Sequence, residues 1–155
     1  MIKENLFKIL LEKVDSITGG VEDASSKLLS ICRLLKNGLP GYDWVGYYIV
    51  SKDNDRELVL GPFAGDPTEH VRIPFGRGIC GQAAETGKTF IVDDVTAENN
   101  YLACSINVKS EIVIPIFRDN KIIAELDIDS HTPSAFTEQD EEFLIEVGRL
   151  TERLI

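Results

Sequence analysis

The sequence predicts an α+β fold, with helices packed on one face of a mainly antiparallel sheet. Two patterns carry this prediction. Apolar residues recur at helical spacing at both ends of the chain, whereas strand patterns separated by glycine and proline fill the middle. The 155 residues, 43% of them apolar, fit one domain with a sizeable core. We therefore expect one domain over 1–155, with helices over 1–37 and the sheet, its loops and a last helix over 42–155.

Two helices are predicted at the N-terminus, over 2–16 and 21–37, on either side of Gly19-Gly20. The second has an apolar stripe formed by Val21, Ala24, Leu28, Cys32 and Leu35. Because free cysteine often behaves as a small apolar residue, we interpret Cys32 as a buried core thiol. The last helix lies in FTEQDEEFLIEVGRLTERLI, where Thr137 with Asp140 predicts the N-cap. Its apolar face consists of Phe143, Val147, Leu150 and Leu154.

Strands are predicted for the segments DWVGYYIVSK, ELVLGPF, HVRIPF, TFIVDDV, EIVIPIF and KIIAELDIDS. The last two flank RDN and form a predicted hairpin. The glycine-rich segment GRGICGQAAETGKT lies between strands and superficially suggests a phosphate-binding loop. Five residues separate Gly81 from Gly87, however, where that motif has four, and Lys88 precedes a strand rather than a helix. We instead predict a tight turn and a short helix over 82–86, with Gly87 just after its end.

The chain is acidic, with a formal net charge of -10. This charge argues against nucleic acid and against an anionic membrane surface as partners, since both would repel it. No signal-peptide pattern begins the sequence and no apolar run reaches membrane-spanning length, so we expect a cytoplasmic protein. The cysteines Cys32, Cys80 and Cys104 lack close metal-ligand spacing, and in a reducing compartment we expect free thiols.

Acidic residues alternate along the strand in IAELDIDSH, which places Glu125, Asp127 and Asp129 on one face. This face is either the solvated side of the sheet or the floor of a pocket where crowded carboxylates raise one another's pKa. Glu111 opens the partner strand. It faces Asp129 only if the hairpin has a three-residue loop or a bulge, for example at Pro115, because a two-residue turn would place it opposite another residue.

Two cysteines and two aromatic residues are further candidates. Cys104 lies in the irregular segment TAENNYLACSINVKS, and reactive groups concentrate on loops. Cys80 precedes the short helix, whose positive N-terminus would lower a thiol pKa, although a buried small residue at a turn is the alternative. Trp44 and Tyr48 share one face of a strand, as core aromatics or as the aromatic wall of a ligand pocket.

Several segments together resemble one family, the free methionine-R-sulfoxide reductases, which are single GAF domains. These segments are DWVGYYIV, LVLGPFAG, VRIPFGRGICGQAAETGKT, SEIVIPI and LDIDS…FTEQDEEFL. The resemblance runs from about Tyr42 to the C-terminus. It implies a GAF fold, with the N-terminal and C-terminal helices on one face of the sheet and a ligand pocket on the other. It also implies reduction of free methionine-(R)-sulfoxide, rather than of the sulfoxide within proteins, and suggests a homodimer.

The resemblance assigns roles to individual residues. In the family a loop cysteine attacks the sulfoxide and becomes a sulfenic acid, a second cysteine forms a disulfide with it, and thioredoxin reduces the disulfide. These cysteines correspond to Cys104 and Cys80. The substrate-binding residues correspond to Trp44, Tyr48, Glu111, Asp127 and Asp129. No bound cofactor or metal is implied, since NADPH supplies electrons through thioredoxin reductase and thioredoxin.

The sequence departs from the family at residue 70. Many members have a third, resolving cysteine there, and this chain has His70. The residue after Cys104 is Ser105 where the family often has aspartate. If Cys104 is the nucleophile, Cys80 or an external thiol must therefore resolve it. Two alternatives stay open: a GAF module that binds a small molecule without turnover, and a metal site formed by His70, Cys80 and Cys104.

Overall fold

The structure is a computed structural model that describes residues 2–98 and 107–155. Its helices and strands follow the predicted order. The helices are α1 (Ile2–Thr18), α2 (Ala24–Gly38), α3 (Gly78–Thr86) and α4 (Glu138–Thr151), with short 3-10 turns at Val95–Ala97 and Glu152–Leu154. The strands are β1 (Trp44–Val50), β2 (Glu57–Ala64), β3 (Arg72–Pro74), β4 (Phe90–Val92), β5 (Ser110–Arg118) and β6 (Lys121–Ser130). They form an antiparallel sheet in the order β3-β2-β1-β6-β5-β4. The α+β prediction is confirmed.

One face of the sheet packs against α2 and α4, α1 packs against these two helices, and together they form the larger hydrophobic core. Its central members are Phe7, Leu10, Val14, Leu28, Ile31, Leu35, Tyr47, Ile112, Leu126, Ile128, Phe143 and Val147. The helices therefore lie where the apolar patterns predict them. None of the helices in 2–98 and 107–155 combines the length and the apolar character that crossing a membrane would require.

The start of α2 differs from the prediction. Asp23 is the N-cap, its side chain accepts a hydrogen bond from the backbone N–H of Ser26 at 2.8 Å, and the helix begins at Ala24. Val21 is consequently 99% exposed, so its place in the apolar stripe was wrong, and Ala24 is exposed as well. The cap satisfies a free N–H at the helix start, which an earlier start at Val21 would not do. Cys32 is fully buried in the core, as predicted.

The predicted cap of α4 is confirmed as a capping box between Thr137 and Asp140. Asp140 also holds two distant elements, because its carboxylate accepts hydrogen bonds from Lys3 Nζ at 2.6 Å and from the Tyr42 hydroxyl at 2.7 Å. Hydrogen bonds to a charged acceptor are among the stronger ones in proteins. A single buried carboxylate therefore joins α1, the entry to β1 and the start of α4.

The β5–β6 hairpin has a bulge, one of the two devices that the sequence left open, and not the three-residue loop. A two-residue turn at Asp119 and Asn120, both with positive φ (52° and 65°), joins the strands. The register then shifts between Ile116 and Phe117, which leaves Ile123 as the extra residue of a bulge. The bulge therefore lies close to Pro115 but not at it. From there onward the pairing places Glu111 opposite Asp129.

The second face of the sheet is covered by α3 and its neighbouring segments, which form a smaller core. This helix begins at Gly78 rather than at residue 82, and it ends as predicted before Gly87, whose φ is +67°. Gly81 allows the helix to lie against β3, since a Cβ at this position would be only 2.6 Å from the carbonyl oxygen of Pro74. The acidic face of β6 is therefore inside the protein.

Candidate active site

The carboxylates of β5 and β6 are buried, which excludes the interpretation of their face as solvated. Glu125 and Asp127 are 0% exposed, Asp129 is 1% and Glu111 is 4% exposed. The alternation along β6 predicts correctly that three of them share a face. Of the two alternatives that the sequence left open, the structure agrees with the buried one, which the strand pattern alone could not select because it does not show that α3 covers this face.

The pairing of β1, β6 and β5 brings the candidate residues close together. Asp129 lies between Trp44 of β1 and Glu111 of β5. Two residues along β6, Asp127 lies between Gly46 and Val113, and Glu125 then lies between Tyr48 and Pro115. Neighbouring strands bring opposed side chains within reach of one another. All the predicted substrate-binding residues therefore lie on one buried face, in three adjacent strands.

The thiol of Cys80 enters this face from α3. Its Sγ lies 3.9 Å from Glu111 Oε2, and the donor atoms of Cys80, Glu111 and Asp127 all lie within 4.8 Å of one another. Burial raises the pKa of the Cys80 thiol well above its ordinary value, and the charges of Asp127, Glu111, Glu125 and Asp129 raise it further. The expectation that the N-terminus of the short helix lowers this pKa was therefore wrong, since Cys80 lies inside the helix and among carboxylates.

Two carboxyl groups in the site have raised pKa values. Burial raises the pKa of Glu125 well above its ordinary value, and the charge of Asp127 adds to the shift. Burial likewise raises the pKa of Asp127, although the neighbouring Glu111 and Cys80 favour its charged form. Among the described residues, no group donates a hydrogen bond of ordinary length to the carboxylate oxygens of either residue. Such carboxyls retain a proton to a higher pH than surface carboxyls and are suited to protonate a bound oxygen.

The aromatic residues form one side of the site. The rings of Trp44 and Tyr48 lie 6.3 Å apart, and both side chains are buried. Each is fixed at its polar end, because Trp44 Nε1 donates to the carbonyl of Asp66 and the Tyr48 hydroxyl donates to the carbonyl of His70, both at 2.9 Å. Trp44 and Tyr48 thus belong both to the aromatic wall and to the smaller core, and their hydrogen bonds hold the segment between β2 and β3 against them.

Sequence reasoning missed the role of Gly46 in this wall. A Cβ at Gly46 would lie 2.4 Å and 2.6 Å from two ring carbons of Trp44, so the indole lies directly over the glycine. A glycine inside a strand, two residues from a tryptophan, often marks such a close approach, and this was the available signal. Glu125 was recognised on the acidic face but was not included among the substrate-binding residues.

The predicted nucleophile, Cys104, lies in 99–106, outside the described residues, as does Ser105. Its assignment therefore stays a prediction. His70, at the position of the third cysteine, is half-buried and accepts from Tyr48 through its backbone carbonyl. The alternative metal site of His70, Cys80 and Cys104 includes an undescribed residue. In the described part of the chain Cys80 is grouped with Glu111 and Asp127 instead.

Known proteins are similar to this chain in fold and in sequence. Residues 23–155 match the GAF domain family. The chain is 40% identical to Protein YtsP of Bacillus subtilis, over 99% of this chain and 93% of that protein. It is 34% identical to the free methionine-R-sulfoxide reductase of Escherichia coli, over 100% of this chain and 92% of that protein. The X-ray structure of free methionine-R-sulfoxide reductase from Neisseria meningitidis in complex with its substrate superposes with a TM-score of 0.91 and 38% identity, covering 98% of this chain and 89% of that one.

The fold and its buried site are therefore those of a GAF-domain protein, with the large helices on one face of the sheet and the acidic and aromatic residues on the other. The expected GAF fold is confirmed. More specifically, the chain belongs to the free methionine-R-sulfoxide reductase family of oxidoreductases.

Proposed function

We propose that this protein reduces free methionine-(R)-sulfoxide to methionine with thiols as the electron donor. The observation that carries the proposal is the meeting of a thiol, buried carboxyls and two aromatic rings on one face of the sheet. Family membership supports it, as does the substrate complex of the Neisseria meningitidis relative.

The site suits a free amino acid with a sulfoxide. A carboxylate, Asp129 or Glu111, binds the ammonium group, while the S-methyl group contacts Trp44, because contacts between sulfur groups and aromatic rings are favourable. A carboxyl with a raised pKa, Asp127 or Glu125, protonates the sulfoxide oxygen, which leaves poorly as an unprotonated group. A methionine inside a peptide lacks the free ammonium and would be excluded from an enclosed site.

The reaction is a two-electron transfer between sulfur atoms. The Cys104 thiol attacks the sulfoxide sulfur, the oxygen passes to the cysteine as it takes up a proton, and methionine leaves with its sulfur reduced. Cys104 is then a sulfenic acid. The Cys80 thiol attacks the Cys104 sulfur, a disulfide forms and water leaves. Thioredoxin exchanges its own dithiol with this disulfide, so both cysteines return to thiols while thioredoxin is oxidised. NADPH then restores thioredoxin through thioredoxin reductase.

The geometry supports this division of roles. The buried, carboxylate-surrounded thiol of Cys80 forms a thiolate reluctantly, so it is a poor first nucleophile. In the second step Glu111, whose Oε2 lies 3.9 Å from the Cys80 Sγ, is placed to accept the thiol proton as the disulfide forms. We therefore assign the attack to Cys104 and the resolving step to Cys80. The expected homodimer and the location in the cell stay predictions.

The test is NADPH consumption with thioredoxin and thioredoxin reductase, for free methionine-(R)-sulfoxide, the S form and a sulfoxide-containing peptide. We expect turnover of the free R form only, and its loss in Cys104→Ser. Cys80→Ser should release one methionine per chain without reductant and leave a sulfenic acid that dimedone traps. Cys32→Ala is the matched cysteine control, since Cys32 lies in the core on the opposite face of the sheet, and it should keep full turnover.

The same assay separates the reductase from a binding module. The replacement of the third cysteine by His70 favours the second candidate, because it removes one route of recycling. Folded protein that binds the sulfoxide but produces no methionine, with thioredoxin or with dithiothreitol, would refute the reductase proposal. It would favour a GAF module that senses the sulfoxide.

A further inference from the structure

We propose that the buried site also binds a thiophilic divalent cation, for which Zn²⁺ is the probe, through the Cys80 sulfur and carboxylate oxygens of Glu111 and Asp127. The bound ion would exclude the sulfoxide and make the site sensitive to free zinc. The binding itself stands on the geometry alone. Its inhibitory consequence rests on the proposed function.

The spacing of the three donor atoms fits one small ion. The three atoms lie within 4.8 Å of one another, and the Cys80 Sγ lies 3.9 Å from Glu111 Oε2. A zinc ion with a sulfur at about 2.3 Å and an oxygen at about 2.1 Å, in tetrahedral geometry, would place these atoms about 3.6 Å apart. Movements of a few tenths of an ångström in the two side chains therefore complete this pair of ligands.

Neighbouring carboxylates supply a second, independent reason to expect a ligand here. Glu125, fully buried beside the three donors, accepts no hydrogen bond of ordinary length from any described residue at either carboxylate oxygen, and the same holds for Asp127. No lysine or arginine in 2–98 or 107–155 forms an ion pair with either residue. Buried charges are normally paired or coordinate a metal, and the described residues place no positive charge beside these two carboxylates.

The donor set selects the kind of ion. A thiolate with two carboxylates is a mixed soft and hard set that suits zinc and related transition metals, whereas Ca²⁺ and Mg²⁺ prefer oxygen ligands alone. Three protein ligands leave a fourth position for water. Cys80 binds as the thiolate and its proton passes to the buffer. A Cys80 sulfur bonded to zinc cannot form the resolving disulfide, and the ion takes the space of the substrate.

Titration with Zn²⁺ by calorimetry tests binding without any use of turnover. The Cys104→Ser chain is the reference, because it removes the cysteine that lies outside the described residues. We expect one saturable site per chain in this reference. Cys80→Ser and Asp127→Asn, each added to it, should weaken binding at least about tenfold, since even the loss of a supporting contact to a metal ligand costs that much. Glu142→Gln, which removes an exposed carboxylate on α4, is the matched control and should leave the affinity unchanged.

Co²⁺ supplies a spectroscopic readout of the same site. A thiolate-to-cobalt charge-transfer band should appear in the Cys104→Ser reference and disappear when Cys80→Ser is added. Melting curves of each variant establish that it is folded. The proposal is overturned if the folded Cys104→Ser reference binds no zinc, or if zinc binds only when Cys104 is present. It is also overturned if the folded variant that combines Cys104→Ser with Cys80→Ser binds zinc as tightly as the reference.

The inhibitory consequence has its own measurement. Zn²⁺ should raise the apparent KM for free methionine-(R)-sulfoxide without changing kcat, and a chelator should restore the initial rate. If the protein proves to have no turnover, displacement of bound sulfoxide by Zn²⁺ replaces the rate as the readout. Zinc that binds without affecting either quantity would overturn the proposed competition, whereas an absence of turnover alone would count against the reductase proposal only.

Discussion

Gly46→Ala tests whether the sheet positions the single tryptophan of the chain for substrate binding. The glycine lies in β1 opposite Asp127, and the indole of Trp44 lies over it. The added methyl group would lie 2.4 Å and 2.6 Å from two ring carbons of Trp44 and 2.9 Å from the Cβ of Phe63. Carbon atoms in good contact are about 3.5–4.0 Å apart, so the ring must retreat by about 1 Å.

The expected losses follow from that displacement. Overpacking of this kind costs about 1–3 kcal/mol in the free energy of unfolding. The ring is also held by its hydrogen bond to the carbonyl of Asp66, so movement strains or breaks this contact. Misplacement of a binding group by 1 Å can reduce a rate about a hundredfold, and we expect kcat/KM for the free sulfoxide to fall by about that factor.

The assay combines kinetics with intrinsic fluorescence. The chain has one tryptophan, so its emission reports on Trp44 alone. We expect the emission of Gly46→Ala to shift towards that of a more exposed indole. Gly19→Ala is the matched control, because its Cβ would meet nothing closer than 3.8 Å. Unchanged emission together with unchanged kcat/KM in folded Gly46→Ala would refute the reasoning.

Four further variants, at three positions, test buried polar groups and the hairpin. Asp140→Ala should lower the free energy of unfolding by about 3 kcal/mol, because it removes charged hydrogen bonds to Lys3 and Tyr42 together with the helix cap. Burial alone would raise the pKa of Asp140, but these hydrogen bonds lower it, so its contribution is present above about pH 4 and is lost as the pH falls through the lowered pKa. Asn120→Ala should cost about 1 kcal/mol because Asn120 has a φ of +65°, whereas Asn120→Gly should not. Asp127→Asn should stabilise the protein at neutral pH, because burial disfavours the charged carboxylate, while weakening sulfoxide binding.

Urea denaturation at several pH values measures the stability of all four variants. For Asp127 the sign is opposite to that for Asp140. Burial raises its folded-state pKa, so the contribution of Asp127 to stability falls as the pH rises from about 4, and Asp127→Asn should gain relative to wild type over that range. Equal stability of wild type and Asp127→Asn from acidic to neutral pH would contradict a strained buried carboxylate. A pH-independent loss in Asp140→Ala, or equal losses in the two Asn120 variants, would contradict the other two arguments.

Local patterns in the sequence predict most elements of this fold. The periodicity predicts the four helices and the sheet, and the Thr137–Asp140 pair predicts the cap of α4. The alternation along β6 predicts that Glu125, Asp127 and Asp129 share a face. Each of these depends on residues at most a few positions apart. The start of α2 was the local error, where the Asp23 cap outweighs an apolar residue at Val21.

Contacts between segments that are distant in sequence decided how the residues of the site come together. The position of Glu111 opposite Asp129 depends on a bulge several residues away in the hairpin. The burial of the acidic face depends on α3, whose packing requires Gly81 to lie against Pro74. The same packing brings Cys80 among carboxylates and reverses the direction of its pKa shift from the expected one.

The sequence by itself therefore determined the fold class, the order of the elements and the residue types of the site. The tertiary structure decided which face of the sheet is buried away from water, which carboxylates lie together, and in which direction the pKa of the Cys80 thiol shifts. The physical reason is the distance along the chain over which each kind of interaction acts. Helical and strand periodicity and capping act over a few residues, whereas desolvation and charge interactions in a buried site depend on what covers it. Here that cover is a helix more than thirty residues away from the acidic strand in sequence.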